Sequence, residues 1–210
     1  MYSLAGKTAL VTGSLSGIGL GIARSLSRVG CNIVVNGFAP QQHIDATVKE
    51  LTTKTNKVKF IYADLSKPKE STKLVKDAIA EFGGVDILVN NAGKQHTAPL
   101  EQFPDETWEE IISLNLSSSF YTSKAVLGYM HNKKWGRIIN IASVHGLVAS
   151  INKSAYVSAK HGLVGLTKAI ALENAGKGIT CNTICPGWVL TPLIQQQIDK
   201  KAQDLKVSDA

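Results

Sequence analysis

The sequence predicts an α/β protein built on a doubly wound parallel sheet with helices on both faces. Three observations carry that prediction. Short apolar runs alternate with helical patterns almost from end to end of the chain. The runs are continuously apolar rather than strictly alternating, as parallel strands covered on both faces require. A glycine-rich turn joins the first run to the first helical pattern, at the edge where such sheets place their ligands.

Ala9, Leu10 and Val11 mark residues 7–12 as the first strand. Ile18, Ile22 and Leu26 recur every fourth residue and Gly30 supplies a stop, so a helix covers 17–29. Ile33, Val34 and Val35 mark a second strand at 32–36. Helical character returns weakly over 41–54, and residues 58–63 form a third strand. Ser66, Lys67 and Pro68 read as a cap followed by proline in the first turn, opening a helix that ends at Gly83. A fourth strand at 85–89, a long helix at 104–132 and a fifth strand at 137–141 follow. A helix at 153–174 and a sixth strand at 179–184 complete the order, with no linker, repeat or low-complexity segment.

Composition narrows the class. The 210 residues suffice for one such domain and are too few for two. No apolar run approaches the roughly 20 residues needed to cross a bilayer. The first seven residues lead straight into a strand without the layout of a signal peptide, so a cytoplasmic protein with no membrane partner is expected. Cys31, Cys181 and Cys185 sit in apolar, strand-like stretches and form no Cys-x-x-Cys pair, which fits reduced core thiols and no metal site. The net charge of +7 is spread over Lys49, Lys54, Lys57, Lys59, Lys67, Lys69, Lys73 and Lys76, among others, interleaved with acids, serines and threonines. With aromatics at only 6%, a solvated surface rather than nucleic-acid binding is expected. Part of the positive field would suit an anionic substrate.

Thr12, Gly13, Ser14, Leu15, Ser16, Gly17, Ile18 and Gly19 stand between the first strand and the first helix. Glycines there permit a tight turn and close approach of a pyrophosphate, and the helix start offers free N–H groups. The position favours a dinucleotide, although the spacing is Gly-x3-Gly-x-Gly. After the second strand, Asn36, Gly37 and Phe38 supply no ribose-selecting acid. No Arg or Lys stands at Leu15, Ser16, Gly37 or Phe38 to meet a 2′-phosphate, so NAD is expected over NADP.

Tyr156 and Lys160 share one helix face at an (i, i+4) spacing. A phenol with an ordinary pKa of about 10 is a poor base at neutral pH, and a nearby ammonium favours its ionised form. Such a pair can take a proton from an alcohol or return one to a ketone. Alone the spacing is common, but three further signals fall at the same predicted sheet edge. Ser143 follows the fifth strand, where its hydroxyl could hold a substrate oxygen or simply cap a turn. Asn91, Ala92 and Gly93 follow the fourth strand, as small residues beside a ribose or as a plain turn. Asn115 stands mid-helix, where asparagine has poor propensity, as a water anchor or a solvent-facing residue.

These residues, with Asp64, Leu65, Pro186 and Gly187, resemble the short-chain dehydrogenase/reductase family over essentially the whole chain. The resemblance implies a Rossmann-like fold in which 1–210 is a single dinucleotide-binding and catalytic domain and 188–205 a substrate lid. It implies Ser143, Tyr156, Lys160 and Asn115 as a catalytic tetrad and Asp64 and Leu65 as adenine contacts. Pro186, Gly187, Val189 and Thr191 would border the nicotinamide. Segments 93–99, 142–150, 152–156, 173–182 and 185–188 are similar to the bacterial members that oxidise D-3-hydroxybutyrate. In those, positions matching Gln95, His145, Lys153 and Gln197 hold the substrate carboxylate, and the one matching Trp188 helps enclose it.

The local chemistry points the same way. Lys153 lies three residues before Tyr156 and His145 two after Ser143, so both could converge on a short hydroxy acid. Singly, each has a bland reading as a surface amide, a solvated lysine, a turn histidine or a packing tryptophan. The expected activity is NAD-dependent interconversion of a short D-3-hydroxy acid and its keto acid. An NADP-dependent oxoacyl reductase and a truncated, non-catalytic dinucleotide-binding chain remain alternatives.

Family members usually continue past the sixth strand with another helix and a seventh strand. Relative to them, this chain is expected to leave a sheet edge uncovered, to be less active, and to assemble differently from the usual homo-oligomer, a tetramer in full-length relatives.

Overall fold

The computed structural model describes residues 3–191 together with 195, 198, 199 and 202. Six strands form one sheet: β1 Thr8–Val11, β2 Asn32–Val35, β3 Val58–Phe60, β4 Ile87–Asn90, β5 Gly136–Ile141 and β6 Ile179–Ile184. Their spatial order is β3-β2-β1-β4-β5-β6, and every pairing is parallel. The winding reverses between β1 and β4, which opens a crevice beyond their carboxyl ends. Six α-helices connect and cover the strands: α1 Gly17–Arg28, α2 Gln41–Leu51, α3 Pro68–Phe82, α4 Asp105–Ile112, α5 Ser118–Lys133 and α6 Ser154–Glu173.

The two faces of the sheet explain the continuous apolar runs. Leu10, Val34, Leu88 and Ile138 point to one side, where they meet Leu74 and Val75 of α3, Val126 and Met130 of α5 and Ile170 of α6. Ala9, Val11, Ile33, Val35, Ile87 and Val89 point to the other, against Ala23 of α1 and Leu51 of α2. A strand buried on both sides favours apolar residues at successive positions. Among the described residues, no helix is long and apolar enough to cross a membrane.

Several boundaries differ from the sequence expectation for identifiable reasons. The third strand ends at Phe60 rather than 63, and the Asn36 side chain instead donates to the carbonyls of Ile61 (3.1 Å) and Ala63 (3.3 Å). The fourth begins at Ile87 because the Asp86 carboxylate accepts from the Thr8 N–H at 2.9 Å and pairs with Lys7 at 3.2 Å. Ser66 does not cap α3; its hydroxyl donates to Asp64 at 2.6 Å, and Lys67 occupies the cap position. Gly83 does end α3, in the left-handed conformation (φ 74°). The long helix expected over 104–132 is two helices joined by a π-turn, Ser113–Ser117.

The middle of the sheet also holds a buried polar chain. Thr122 donates to Asn90 (2.7 Å), Asn90 to Asn140 (2.8 Å), and Asn140 to Thr167 (2.8 Å). Asn90 and Asn140 are register partners on β4 and β5, so the chain fastens α5 and α6 to adjacent strands. A fully satisfied network of this kind fixes register where apolar contacts alone would tolerate slippage.

Candidate active site

The crevice at the reversal of the sheet is a cleft of about 310 Å³. Its floor begins with the β1–α1 turn. Gly13 and Gly17 adopt positive φ (59° and 54°), which side chains rarely tolerate. A Cβ on Gly19 would lie 2.3 Å from the Gly13 carbonyl oxygen and 2.5 Å from the Asn91 amide, so only glycine fits there. The turn is bolted to β4. Asn91 donates to the carbonyls of Thr12 (2.9 Å) and Gly13 (3.0 Å), and the Thr12 hydroxyl accepts from the N–H groups of Asn91 (2.9 Å) and Ala92 (3.0 Å). Ser16 at the start of α1 makes no side-chain cap, leaving first-turn N–H groups beside the cleft wall formed by Gly17 and Ile18. A pre-shaped turn of this kind, with free donors and a helix dipole, fits a pyrophosphate.

Opposite the turn, β5 and α6 bring three residues together. Lys160 is only 4% exposed, and its ammonium donates to the Ile141 carbonyl at 2.8 Å. It lies 5.6 Å from the centre of the Tyr156 ring. Burial pushes the Lys160 pKa down to about 8, against a smaller upward pull from Cys185. Burial likewise raises the Tyr156 phenol above its ordinary value, and a hydrogen bond from the Ser143 side chain works against that rise. The expected depression of the phenol by the neighbouring ammonium is not found; the cost of ionising a buried ring sets the direction. The turn-capping reading of Ser143 holds: its hydroxyl accepts from the His145 N–H at 3.2 Å, capping the turn Val144–Gly146, and it also contacts Tyr156.

Asn115 is almost fully buried in the π-turn rather than solvent-facing. Its amide accepts from the Lys94 N–H (2.9 Å) and donates to the Lys94 carbonyl (2.8 Å). The side chain so fixes the loop after β4, and a Cβ on Gly93 would approach it to 3.2 Å. The π-turn supplies the extra residue that swings Asn115 inward between two regular helices.

Of the residues singled out in the sequence, the cleft is lined by Gly13, Ser16, Gly17, Ile18, Asn91, Ala92, Gly93, Gln95, Ser143, Tyr156, Lys160, Pro186, Gly187, Val189 and Thr191. Others stand apart from it. Leu15 is buried beneath Gly37, and its carbonyl meets the His43 ring at 2.8 Å. Phe38 is 66% exposed, edge-on to Tyr62 with centroids 5.6 Å apart. Leu65 packs into the core, and the Asp64 carboxylate is held ionised by Ser66 first and Lys67 second. Gln197 lies outside the described residues, as does most of the expected lid.

The substrate end is built from fewer contacts. The Gln95 amide nitrogen is buried at the cleft wall with no hydrogen-bond partner among the described residues. The His145 ring stands edge-on to Tyr156 with centroids 6.1 Å apart, and its pKa is lowered by burial and then by Lys153. The Lys153 ammonium sits 5.5 Å from the Trp188 ring, which is 74% exposed. Sequence reasoning gave no role to Ile141, Ala142 and Lys94, and named Thr12 only as the start of the glycine-rich loop. The first three act through backbone atoms or as plain walls, which side-chain chemistry cannot reveal. Thr12 had a signal, a hydroxyl at the end of one central strand facing asparagines at the end of the next.

Comparison with known proteins agrees with this geometry. The family model for short chain dehydrogenases matches residues 7–202. The chain is 56% identical over 202 residues to the D-beta-hydroxybutyrate dehydrogenase of Cupriavidus necator, covering 95% of this chain and 77% of that protein. It is 52% identical over 204 residues to the protein of the same name from Rhizobium meliloti, covering 97% and 79%. Among solved structures, a candidate short-chain alcohol dehydrogenase from Sinorhizobium meliloti 1021 is similar, with a TM-score of 0.87 at 29% identity over 97% of this chain and 82% of that one.

Proposed function

The chain belongs to the short-chain dehydrogenase family, and from that premise we propose an NAD-dependent oxidoreductase that interconverts D-3-hydroxybutyrate, or a similarly short 3-hydroxy acid, and its 3-keto acid. Membership implies a nicotinamide dinucleotide, which supplies the hydride acceptor or donor. Gly13, Gly17, Gly19 and the first turn of α1 would hold its pyrophosphate, and Pro186, Gly187, Val189 and Thr191 would border its redox ring. Preference for NAD rests on the end of β2. Asn36 is spent on the carbonyls after β3, and exposed Phe38 brings no cation to a 2′-phosphate.

Tyr156 is the proton-transfer group in this reading. Ser143 orients the substrate oxygen, and the proton on that oxygen passes to Tyr156 as the C3 hydride leaves. In the reverse direction the neutral phenol donates. Burial raises the phenol's pKa, so alcohol oxidation, which needs the ionised phenol as proton acceptor, should gain from rising pH. Lys160, still mainly an ammonium below its pKa of about 8, stabilises negative charge on the phenol oxygen as it develops. Asn115 acts through the loop it holds, keeping Gly93 and Lys94 in place.

The observation that carries the substrate assignment is the Gln95 amide nitrogen, buried and without a partner among the described residues, at the wall of the cleft that holds Ser143 and Tyr156. A buried unpaired donor is costly, and an acidic oxygen relieves it. Lys153 adds the charge, His145 a neutral imidazole at neutral pH, and Trp188 an apolar cover. Gln197 would complete the set.

The test is absorbance at the reduced-nicotinamide band with both cofactors and both hydroxybutyrate enantiomers. The D-enantiomer with NAD should give the highest kcat/KM, and Tyr156→Phe should retain NADH affinity while losing about 10³-fold in kcat. Equal rates with NADP or with the L-enantiomer would sink the assignment.

A further inference from the structure

A second cavity, larger than the cleft at about 700 Å³, opens between α3 and α5. Lys69, Thr72, Lys73 and Lys76 of α3 line one side, and Tyr121 and Lys124 of α5 the other. From sequence these α3 lysines read as a solvated outer face. The fold instead gathers three of them, spaced four and three residues apart, and adds a fourth from a helix about fifty residues away in the chain.

Their charge is poorly matched. Elsewhere on the surface, Lys57 and Lys59 share Glu81, Lys67 reaches Asp64 and Glu70, and Lys94 pairs with Glu110. Around this cavity only Lys73 has a carboxylate, Asp77 at 2.5 Å. Lys124 lies 5.7 Å from the centre of the exposed Phe120 ring, and Lys69 and Lys76 have no ion-pair partner among the described residues. The lining therefore carries four ammonium groups against one carboxylate. Like charges on one helix face cost stability that a bound anion would return.

We propose that this cavity binds an anion carrying several consecutive phosphates. The cations stand on both helices, and a chain of phosphates can present charge to both at once, with the Thr72 hydroxyl and the Tyr121 phenol as hydrogen-bonding partners. Free polyphosphate and a nucleoside triphosphate share this chemistry. They differ in the base, for which Tyr121 and Phe120, packed edge-to-face at 5.2 Å, offer a surface.

The experiment is isothermal titration of NADH-saturated protein, so that the cleft is filled, with inorganic tripolyphosphate, ATP and orthophosphate at about 50 mM salt. Tripolyphosphate should bind far more tightly than orthophosphate. Its affinity should fall about tenfold or more in Lys69→Gln/Lys76→Gln/Lys124→Gln and again at about 300 mM salt, and should persist in the matching triple arginine variant. These positions are exposed, and affinity for NADH should not change. Tighter binding of ATP, lost in Tyr121→Ala, assigns a nucleotide; equal affinity assigns the phosphate chain alone. No heat with tripolyphosphate, or heat unchanged by the triple glutamine substitution, overturns the site.

Discussion

The two ends of the cleft are built by different means. At the cofactor end, the β1–α1 turn is tied to β4 by four hydrogen bonds involving Thr12 and Asn91, and a single Cβ on Gly19 would collide with Asn91 and the Gly13 carbonyl. At the substrate end, Trp188, Leu147, Val148 and Ile151 stand exposed, and Lys153 touches Trp188 through a cation–ring contact at 5.5 Å. One end is rigid before any ligand arrives. The other holds its recognition groups on side chains whose packing a ligand would complete. Backbone hydrogen bonds suit a ligand part common to every turnover, and exposed side chains suit the part that distinguishes substrates.

The buried ammonium opposite the turn gives the sharpest way to probe this contrast. Moving Lys160 from an ordinary pKa of 10.5 to about 8 corresponds to roughly 3 kcal/mol of burial cost. Lys160→Met should therefore lose about 10³-fold in turnover yet gain about 2–4 °C in Tm, after allowing for the Ile141 carbonyl left without its donor. The pH dependence has a definite sign. Between pH 8 and 10.5 the unfolded chain holds the Lys160 proton that the folded chain has lost, so stability rises with pH across that window. Below about pH 8 the full penalty remains. Thermal melts at both ends of the window should show this component in the parent and not in the variant, and a lower Tm for Lys160→Met at neutral pH would show that the ammonium is not a burden.

Gly19→Ala comes next. Its methyl group meets backbone, which cannot rotate away, so about 1–3 kcal/mol of stability and about 10²-fold of NADH affinity should be lost together. A variant that melts and binds like the parent would mean the turn is softer than its hydrogen bonds imply. The smallest effect belongs to the open end. Trp188→Ala should raise KM for 3-hydroxybutyrate about fivefold while leaving Tm and NADH affinity unchanged, since the ring is mostly in solvent. A matching loss of NADH affinity would join the two ends that the geometry separates.

The same contrast sets what could be read from the chain. The succession of strands and helices along the chain, helix stops at Gly30 and Gly83, and the convergence of Ser143, Tyr156 and Lys160 were legible because periodicity, glycine and residue type encode them directly. The strength of the Lys160–Tyr156 coupling was not, because desolvation depends on everything packed around a group and not on its spacing. For Ser143, only coordinates could show that a hydroxyl capping the turn at His145 also reaches Tyr156. The gathering of Lys69, Lys76 and Lys124 was invisible for a related reason: α3 and α5 are separated by a strand and a helix in sequence, and only packing makes them neighbours.

The π-turn between α4 and α5 has a consequence for how this protein can change. One residue turns an α-helix by about 100°, so an extra residue at Ser113–Ser117 sets the apolar stripes of the two helices out of phase. Deleting one residue there would restore an ordinary helix and, in the same stroke, rotate Val126, Met130 and Thr122 away from the sheet partners they now meet. Sequence drift can replace side chains along this stretch one at a time, but its length is locked.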